Sequence, residues 1–231
     1  MAIISTFQGT VTEKQHLTPS VILLSLKIPN SFTFTAGQFV TLKMTNNGQT
    51  KMKSYSILNP PTQHGILNLC VKLIEGGFAS EIFAKTNAND TFEIKGPFGH
   101  FTLDESSLQN EQWFIGSGTG VVPLYCMLAQ HLSNHTDTKF ILLFSVRTQQ
   151  DLIFHQEFLT LKKKYSHFTY MPTLTREEWP GLKGQVQTHL GNELNNKSFY
   201  ICGLNELVAD TKAYLLQHGV DPKQIHFERY N

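Results

Sequence analysis

The sequence predicts two domains: an antiparallel β-barrel or sandwich, followed by a parallel-sheet α/β domain. Three observations carry that reading. Up to about residue 105, short segments alternate apolar and polar residues between turn clusters, as half-buried antiparallel strands do. After residue 110, strand-length apolar runs alternate with helix-length stretches, as in βαβ units. Where the style changes, Trp113–Leu124 runs from apolar residues into Gly116, Gly118 and Gly120, then turns amphipathic through Leu132. That reads as a buried strand, a glycine turn and a helix.

In order, the spacing predicts strands over Val21–Ile28, Gln38–Met44, Lys51–Leu58, Gly65–Ile74 and Thr91–Lys95. The turns Thr45-Asn46-Asn47-Gly48, Asn59-Pro60-Pro61 and Gly96-Pro97-Phe98-Gly99 separate them, and one helix, Phe78 to Lys85, follows Gly76-Gly77. Polar Asp104–Glu111 marks the boundary. Strands are then expected over Gln112–Ile115, Phe140–Ser145, Phe168–Thr173, Ser198–Cys202 and Gln224–Glu228. Helices are expected over Val121–Leu132, Leu152–Tyr165, Gln185–Leu190 and Leu207–His218. Ligands of such sheets bind beyond the carboxyl ends of the strands. Gly116–Gly120, Ser145–Thr148, Thr173–Glu177 and Cys202–Asn205 all fall there.

Bulk properties narrow the function. The 231 residues carry a net charge of +1, so no bulk attraction to nucleic acid or anionic membrane is expected. No apolar run approaches the length of a bilayer span, and the N-terminus lacks the pattern of a signal peptide. The three cysteines, Cys70, Cys126 and Cys202, are far apart and form neither a disulfide framework nor an iron–sulfur spacing. A cytoplasmic protein is the inference. The ten histidines are scattered, and His155, His189 and His226 have no ligand-like spacing, so no metal is expected.

The glycine turn carries the first chemical signal. Glycines allow close backbone approach and positive φ, and a helix start offers free N–H groups to phosphate. Pro123 sits in the first turn, where a missing N–H costs nothing. A tight αβ turn without a ligand is the alternative.

Further motifs give the chain a resemblance to the ferredoxin–NADP⁺ reductase superfamily. Phe34-Thr-Ala-Gly-Gln-Phe39 looks like its F-x-P-G-Q-F, with Ala36 for Pro. Lys53-Ser-Tyr-Ser56 resembles R-x-Y-S, Gly77-Phe-Ala-Ser80 resembles G-x-x-S, and Gly96-Pro-Phe-Gly99 resembles G-P-x-G. Gly116-Ser-Gly-Thr-Gly-Val-Val-Pro123 matches G-x-G-T-G-x-x-P. Tyr200-Ile-Cys-Gly-Leu204 and Phe227-Glu-Arg-Tyr230 resemble Y-x-C-G-L and the E-x-aromatic ending. The resemblance implies an antiparallel β-barrel FAD-binding domain over residues 1–105 and an α/β parallel-sheet nucleotide-binding domain over 106–231.

It also implies roles for particular residues. Tyr55 would stack on the flavin, Ser56 would donate to flavin N5, and Lys53 would face the pyrophosphate with a point charge instead of a guanidinium fork. Ser80 and the amides from Gly77 onward would cap their helix and meet phosphate, with Val71, Gly76 and Phe78 among the flavin contacts. Gly118, Thr119, Gly120 and Gly203 would hold the dinucleotide. Cys202 would position the nicotinamide, Glu228 would transfer protons or orient the ring, and Tyr230, followed by Asn231, would cover the other flavin face. Each residue has a plainer reading as well. Tyr55 is also readable as a cross-strand aromatic, Ser56 as a hydroxyl bonded to its own backbone and Lys53 as a solvated lysine. Ser80 fits an ordinary helix cap, Cys202 a small core residue, Glu228 a surface carboxylate and Tyr230 part of a loose tail. Cys70 and Cys126 sit within apolar patterns and read as core.

A 2′-phosphate needs cations, and Arg147, Arg176 and Lys183 are the candidates. Arg176 lies in a stretch resembling the S-R-E of NADP-using members. Arg147–Leu152 has an R-x-x-x-D-L form that also occurs in NADH-using relatives, and Gln185 stands where a tyrosine often stacks on adenine. The expectation is NADPH, with NADH possible. The function implied is hydride transfer from NAD(P)H to flavin N5 in bound FAD, then single-electron transfer to a carrier protein. Ferredoxin or flavodoxin is expected first, an oxygenase component next and free flavin third. The alternatives are an NAD(P)H:flavin reductase that uses flavin as substrate, and a flavin-binding subunit or redox sensor without turnover.

Overall fold

The computed structural model describes residues 3–230, so Asn231 lies outside the described residues. It divides into two units: the chain up to Thr102 with Tyr125–Gln130, and Leu103–Leu124 with His131 onward.

In the first unit, one antiparallel sheet contains β1 (Ser5–Thr18), β2 (Val21–Lys27), β3 (Phe39–Asn46), β4 (Gln49–Ser56), β5 (Ile66–Lys72) and β6 (Thr91–Phe98), in the order β4-β3-β6-β1-β2-β5. It is a curled half-barrel. The edge strands meet at one bridge, Ile57 with Leu69. Asn59 extends that seam with its side chain. Its Nδ2 donates to the Ile66 carbonyl at 3.1 Å, and its Oδ1 accepts from the Asn68 amide at 2.8 Å. The inward rows are apolar: Ile22, Leu24 and Leu26 pair with Val71, Leu69 and Leu67, and all six are at most 2% exposed. Each such side chain contributes about 1.5–3 kcal/mol by leaving water.

The 14-residue β1 is absent from the strands expected from sequence. Register shifts at Val11/Glu13 and His16/Thr18 break its apolar–polar phase, as bulges do.

Gly37 shows why the loop before β3 needs a glycine. Its φ is +99°, and a Cβ there would overlap the Phe101 carbonyl oxygen and the Met127 methyl. Gly37→Ala is therefore expected to cost about 2–4 kcal/mol, from left-handed strain plus overpacking. Gly48→Ala, at φ +75° with nothing within 4 Å, should cost only about 1–2 kcal/mol. Urea melts of the two variants check this. Equal midpoints would mean that the loop shifts freely.

In the second unit all strands are parallel. The chain runs β7 (Glu111–Ser117), α2 (Val121–His131, of which Tyr125–Gln130 counts with the first unit), β8 (Phe140–Val146), α3 (His155–Lys164), β9 (Phe168–Leu174), β10 (Leu182–Lys183), β11 (Lys197–Leu204), α4 (Asn205–Gln217) and β12 (Ile225–Tyr230), and α1 (Phe78–Lys85) precedes them all in the first unit. The strand order is β10-β9-β8-β7-β11-β12. β8 is buried along its whole length, as an inner parallel strand must be. The order reverses direction between β7 and β11, which makes their carboxyl ends the switch point where such sheets take ligands.

Two helices differ from expectation. Gln185–Leu190 forms a 3₁₀ turn, Val186–His189. α3 starts at His155 rather than Leu152, because Leu152 and Ile153 are buried and Phe154 is left-handed at φ +58°.

Candidate functional site

In the first unit, β3 and β4 pair so that Val40, Leu42 and Met44 stand opposite Tyr55, Lys53 and Lys51. Paired residues share a face of the sheet. Val40, Leu42 and Met44 are at most 1% exposed, and β4 presents half-buried Tyr55 and Lys53 and exposed Lys51 on that same face. β4 is an edge strand, and α1 packs against its neighbour β3. Phe83 of α1 is fully buried and meets the Tyr55 ring edge-on at 5.6 Å. The Tyr55 hydroxyl lies 4.0 Å from the Met44 sulfur. Burial raises its pKa above the usual phenol value, so the ring stays neutral, as a stacking surface for a flat ligand should. Ser56 is 6% exposed. As the next residue on the strand it points to the other face.

The start of α1 is shaped for an anion. Gly76 has φ +66°, and a Cβ on Gly77 would stand 2.9 Å from the Ile74 carbonyl oxygen and 3.0 Å from Ser80 Oγ. No side chain caps the helix. The expected capping by Ser80 is corrected here. Ser80 is the third helical residue, and its Oγ accepts the Ile74 amide at 2.8 Å, which ties the glycine loop back onto the helix. The first intrahelical bond runs from the Glu81 amide to the Gly77 carbonyl at 3.1 Å. The amides of Phe78, Ala79 and Ser80 precede that bond and are left for a ligand or water. This donor set fits a pyrophosphate. The Val71 side chain is 2% exposed and belongs to the core, so a ligand there would meet main chain.

In the second unit, Phe144, Gly116, Cys202 and Glu228 form one registered row across β8, β7, β11 and β12. Gly118 and Gly120 of the turn and Gly203 at the end of β11 do different work. A Cβ on Gly120 would overlap the Cys202 carbonyl and the Gly203 Cα, and one on Gly203 would overlap Ser117 Oγ. The turn and the end of β11 therefore touch backbone to backbone. Gly118 has φ +52° with nothing within 4 Å of a Cβ. It is exposed beside half-buried Thr119, a cradle open to a phosphate at the start of α2.

Cys202 is fully buried. Burial first, then the charge of Glu228, push its thiol well above the ordinary value, against a hydrogen bond with Tyr230. A thiol held protonated in this way is a poor nucleophile.

The Arg176 amide donates to the Arg147 carbonyl at 3.0 Å, so the β8–β9 pairing carries both exposed arginines to one place. The neighbouring loop brings carboxylates too. Glu177 Oε2 accepts the Gln149 amide at 2.7 Å, and Lys183 is paired with Glu178. Sequence reading named Glu177 only as the end of a ligand-side loop and an S-R-E-like stretch, gave it no role, and missed Glu178. The signal was their position next to Arg176, whereas their partners depend on the packing of two loops.

The fold and these two sites define a class: a flavin- and nicotinamide-dependent oxidoreductase with one unit for each cofactor. Residues 8–103 match the oxidoreductase FAD-binding domain, and residues 114–213 match the oxidoreductase NAD-binding domain. The chain is 32% identical over 239 residues to ferredoxin–NADP reductase B of Sorangium cellulosum, covering 97% of this chain and 98% of that one. It is 27% identical over 237 residues to the phenol hydroxylase P5 protein of Acinetobacter pittii, covering 99% of this chain and 66% of that one. A crystal structure of a ferredoxin NADP⁺ reductase from Neisseria gonorrhoeae with bound FAD and NADP superposes with a TM-score of 0.84 at 25% identity, covering 99% of both chains. The Amycolatopsis cytochrome P450 reductase GcoB gives 0.91 at 25% identity, covering 99% of this chain and 71% of that one. The chain belongs to the ferredoxin–NADP⁺ reductase superfamily and is an FAD-dependent NAD(P)H oxidoreductase.

Proposed function

We propose that the chain takes electrons from NADPH through FAD and delivers them singly to a separate carrier protein, ferredoxin or flavodoxin, with an oxygenase component as the second recipient. The observation that carries this reading is the Gly118 cradle beside the Cys202–Glu228 row at the switch point. A flavin-binding sensor needs no such hydride-donor site. Cys70, Cys126 and Cys202 are each free and buried, so they supply no cluster ligands, which supports a one-electron acceptor outside these two units. Free thiols also support placement in the cytoplasm. The two curated relatives named above are a ferredoxin–NADP reductase and a phenol hydroxylase component, which supports both recipients.

FAD, when bound, supplies the exchange between two-electron and one-electron chemistry. The residues supply alignment. Tyr55 offers a ring face, and Lys53 with the first-turn amides of α1 holds phosphate. Gly118, Thr119 and Gly120 seat the dinucleotide, Cys202 shapes the floor under the nicotinamide, and Glu228 holds a carboxylate at its edge. Heat release and mass analysis of the cofactor test the reading. FAD is expected, and FMN or no flavin sinks it. A protein that purifies colourless yet reduces added flavin is instead a flavin reductase. Reduction by NADPH, followed by a screen of ferredoxin, flavodoxin and oxygenase components, identifies the recipient.

The preference for NADPH rests on Arg147 and Arg176. A charge-assisted hydrogen bond contributes about 1.5–3 kcal/mol, less where solvent screens it, and Glu177 and Glu178 offset part of the attraction. Replacing both arginines with alanine is expected to raise KM for NADPH about ten- to a hundredfold and to leave NADH nearly unchanged. The effect should shrink with added salt. Equal losses with both dinucleotides would point to an NADH-type reductase.

A further inference from the structure

We propose that Lys51 is a second phosphate-binding residue of the flavin site, serving the adenosine-side phosphate of FAD while Lys53 serves the flavin-side one. The inference rests on the FAD reading above and extends it to a residue outside the R-x-Y-S-like motif.

Three observations carry it. First, Lys51, Lys53 and Tyr55 share the face of β4 whose cross-strand partners on β3 are core residues. Lys51 is exposed and Lys53 half-buried, so both ammonium groups are open to an anionic ligand from solvent. Among the described residues neither lysine has a carboxylate within ion-pair distance. Glu81, in the first turn of α1, accepts from Asn46 Nδ2. Second, the Lys51 ammonium lies 4.6 Å from the centre of the Phe78 ring. Phe78 is the first residue of α1, so this contact sets the charge beside the uncapped amides. The ring attracts the cation without neutralising it. Third, the order along β4 matches the order of groups in FAD. Residues two apart on a strand are about 6.6 Å apart. From Tyr55, the platform for the ring system, the strand passes Lys53 and then Lys51. The two phosphates of FAD share one bridging oxygen and lie closer together than this step, so the long, flexible Lys51 side chain has to reach back toward Lys53 to meet the phosphate farther from the ring. Two point charges thus take the place of one bidentate guanidinium, and flavin retention becomes salt-dependent.

FMN ends at the first phosphate, which makes it the discriminating probe. Dissociation constants for FAD and FMN are to be measured by flavin fluorescence on the stripped full chain, at several salt concentrations. Lys51→Gln and Lys51→Met are expected to weaken FAD about tenfold at low salt, less at high salt, and to leave FMN within about twofold. Lys53→Gln should weaken both flavins, and Lys51→Arg should restore FAD. Unchanged FAD affinity in both Lys51 variants overturns the proposal, as does equal weakening of FAD and FMN. A wild-type chain that binds neither flavin overturns the parent reading, a different result from either.

Discussion

Gly118→Val is expected to cut kcat/KM with NADPH and NADH by about a hundredfold or more, while the protein stays folded and yellow. The backbone at Gly118 is left-handed, φ +52°, and a side chain there costs about 1–2 kcal/mol of strain, more for a branched one. That alone does not unfold a domain. A Cβ meets nothing within 4 Å, so the substitution adds no internal clash, and the valine methyls project into the space left for the dinucleotide. A hundredfold loss corresponds to about 2.7 kcal/mol of lost stabilisation. Gly120→Val is the contrasting control. Its side chain would be driven into the Cys202 carbonyl, so it should lower the melting temperature as well as activity. Steady-state kinetics with both dinucleotides and a flavin absorbance spectrum check the pair. A Gly118→Val enzyme with normal KM for both would place the pyrophosphate elsewhere.

Glu228→Gln and Cys202→Ala should lower the hydride-transfer rate, by about a hundredfold and about tenfold, with KM changed much less. Cys202 and Glu228 are registered partners on β11 and β12. The thiol is buried and held protonated by burial and by the Glu228 charge, so the contribution proposed for it is the shape of the surface that would lie beneath the nicotinamide. Glutamine keeps the size of Glu228 and removes its charge and its capacity to carry a proton, an effect of about 10²–10⁴ where a positioned acid or base is used. Losses confined to the transition state appear in kcat. Stopped-flow reduction of the flavin separates the two quantities. If both variants change KM alone, the row Gly116–Cys202–Glu228 binds the dinucleotide but does not align its reacting end. Cys202→Ala should also cost about 1 kcal/mol of stability from the small void it leaves, which a denaturant melt reads independently.

Much of this was legible in the chain because it depends on short range. α1 was read with its observed bounds, Phe78–Lys85, since two glycines precede an amphipathic stretch. The principal parallel strands were legible because each is a compact apolar run. β1 was not, because its bulges shift the alternation that marks a strand. Residues 185–190 were misread as a helix because four polar and apolar residues suit a single 3₁₀ turn as well as a short helix. β10, with two residues, is too short to leave any period.

By itself the sequence determined the fold class, the glycine turn after β7 and the order of the motifs, because periodicity and glycine's backbone freedom act between near neighbours. The tertiary structure alone decided which side chains meet. Strand register put Lys51 on the same face as Lys53 and Tyr55. The close approach of the turn to β11 made Gly120 a packing residue and left Gly118 open. Loop packing joined Arg147 to Arg176 through the backbone, set Glu177 on the Gln149 amide and paired Lys183 with Glu178. The helix start turned Ser80 from a cap into a tie for the Ile74 loop. Each of these depends on segments brought together by register and packing, a geometry that local patterns do not encode.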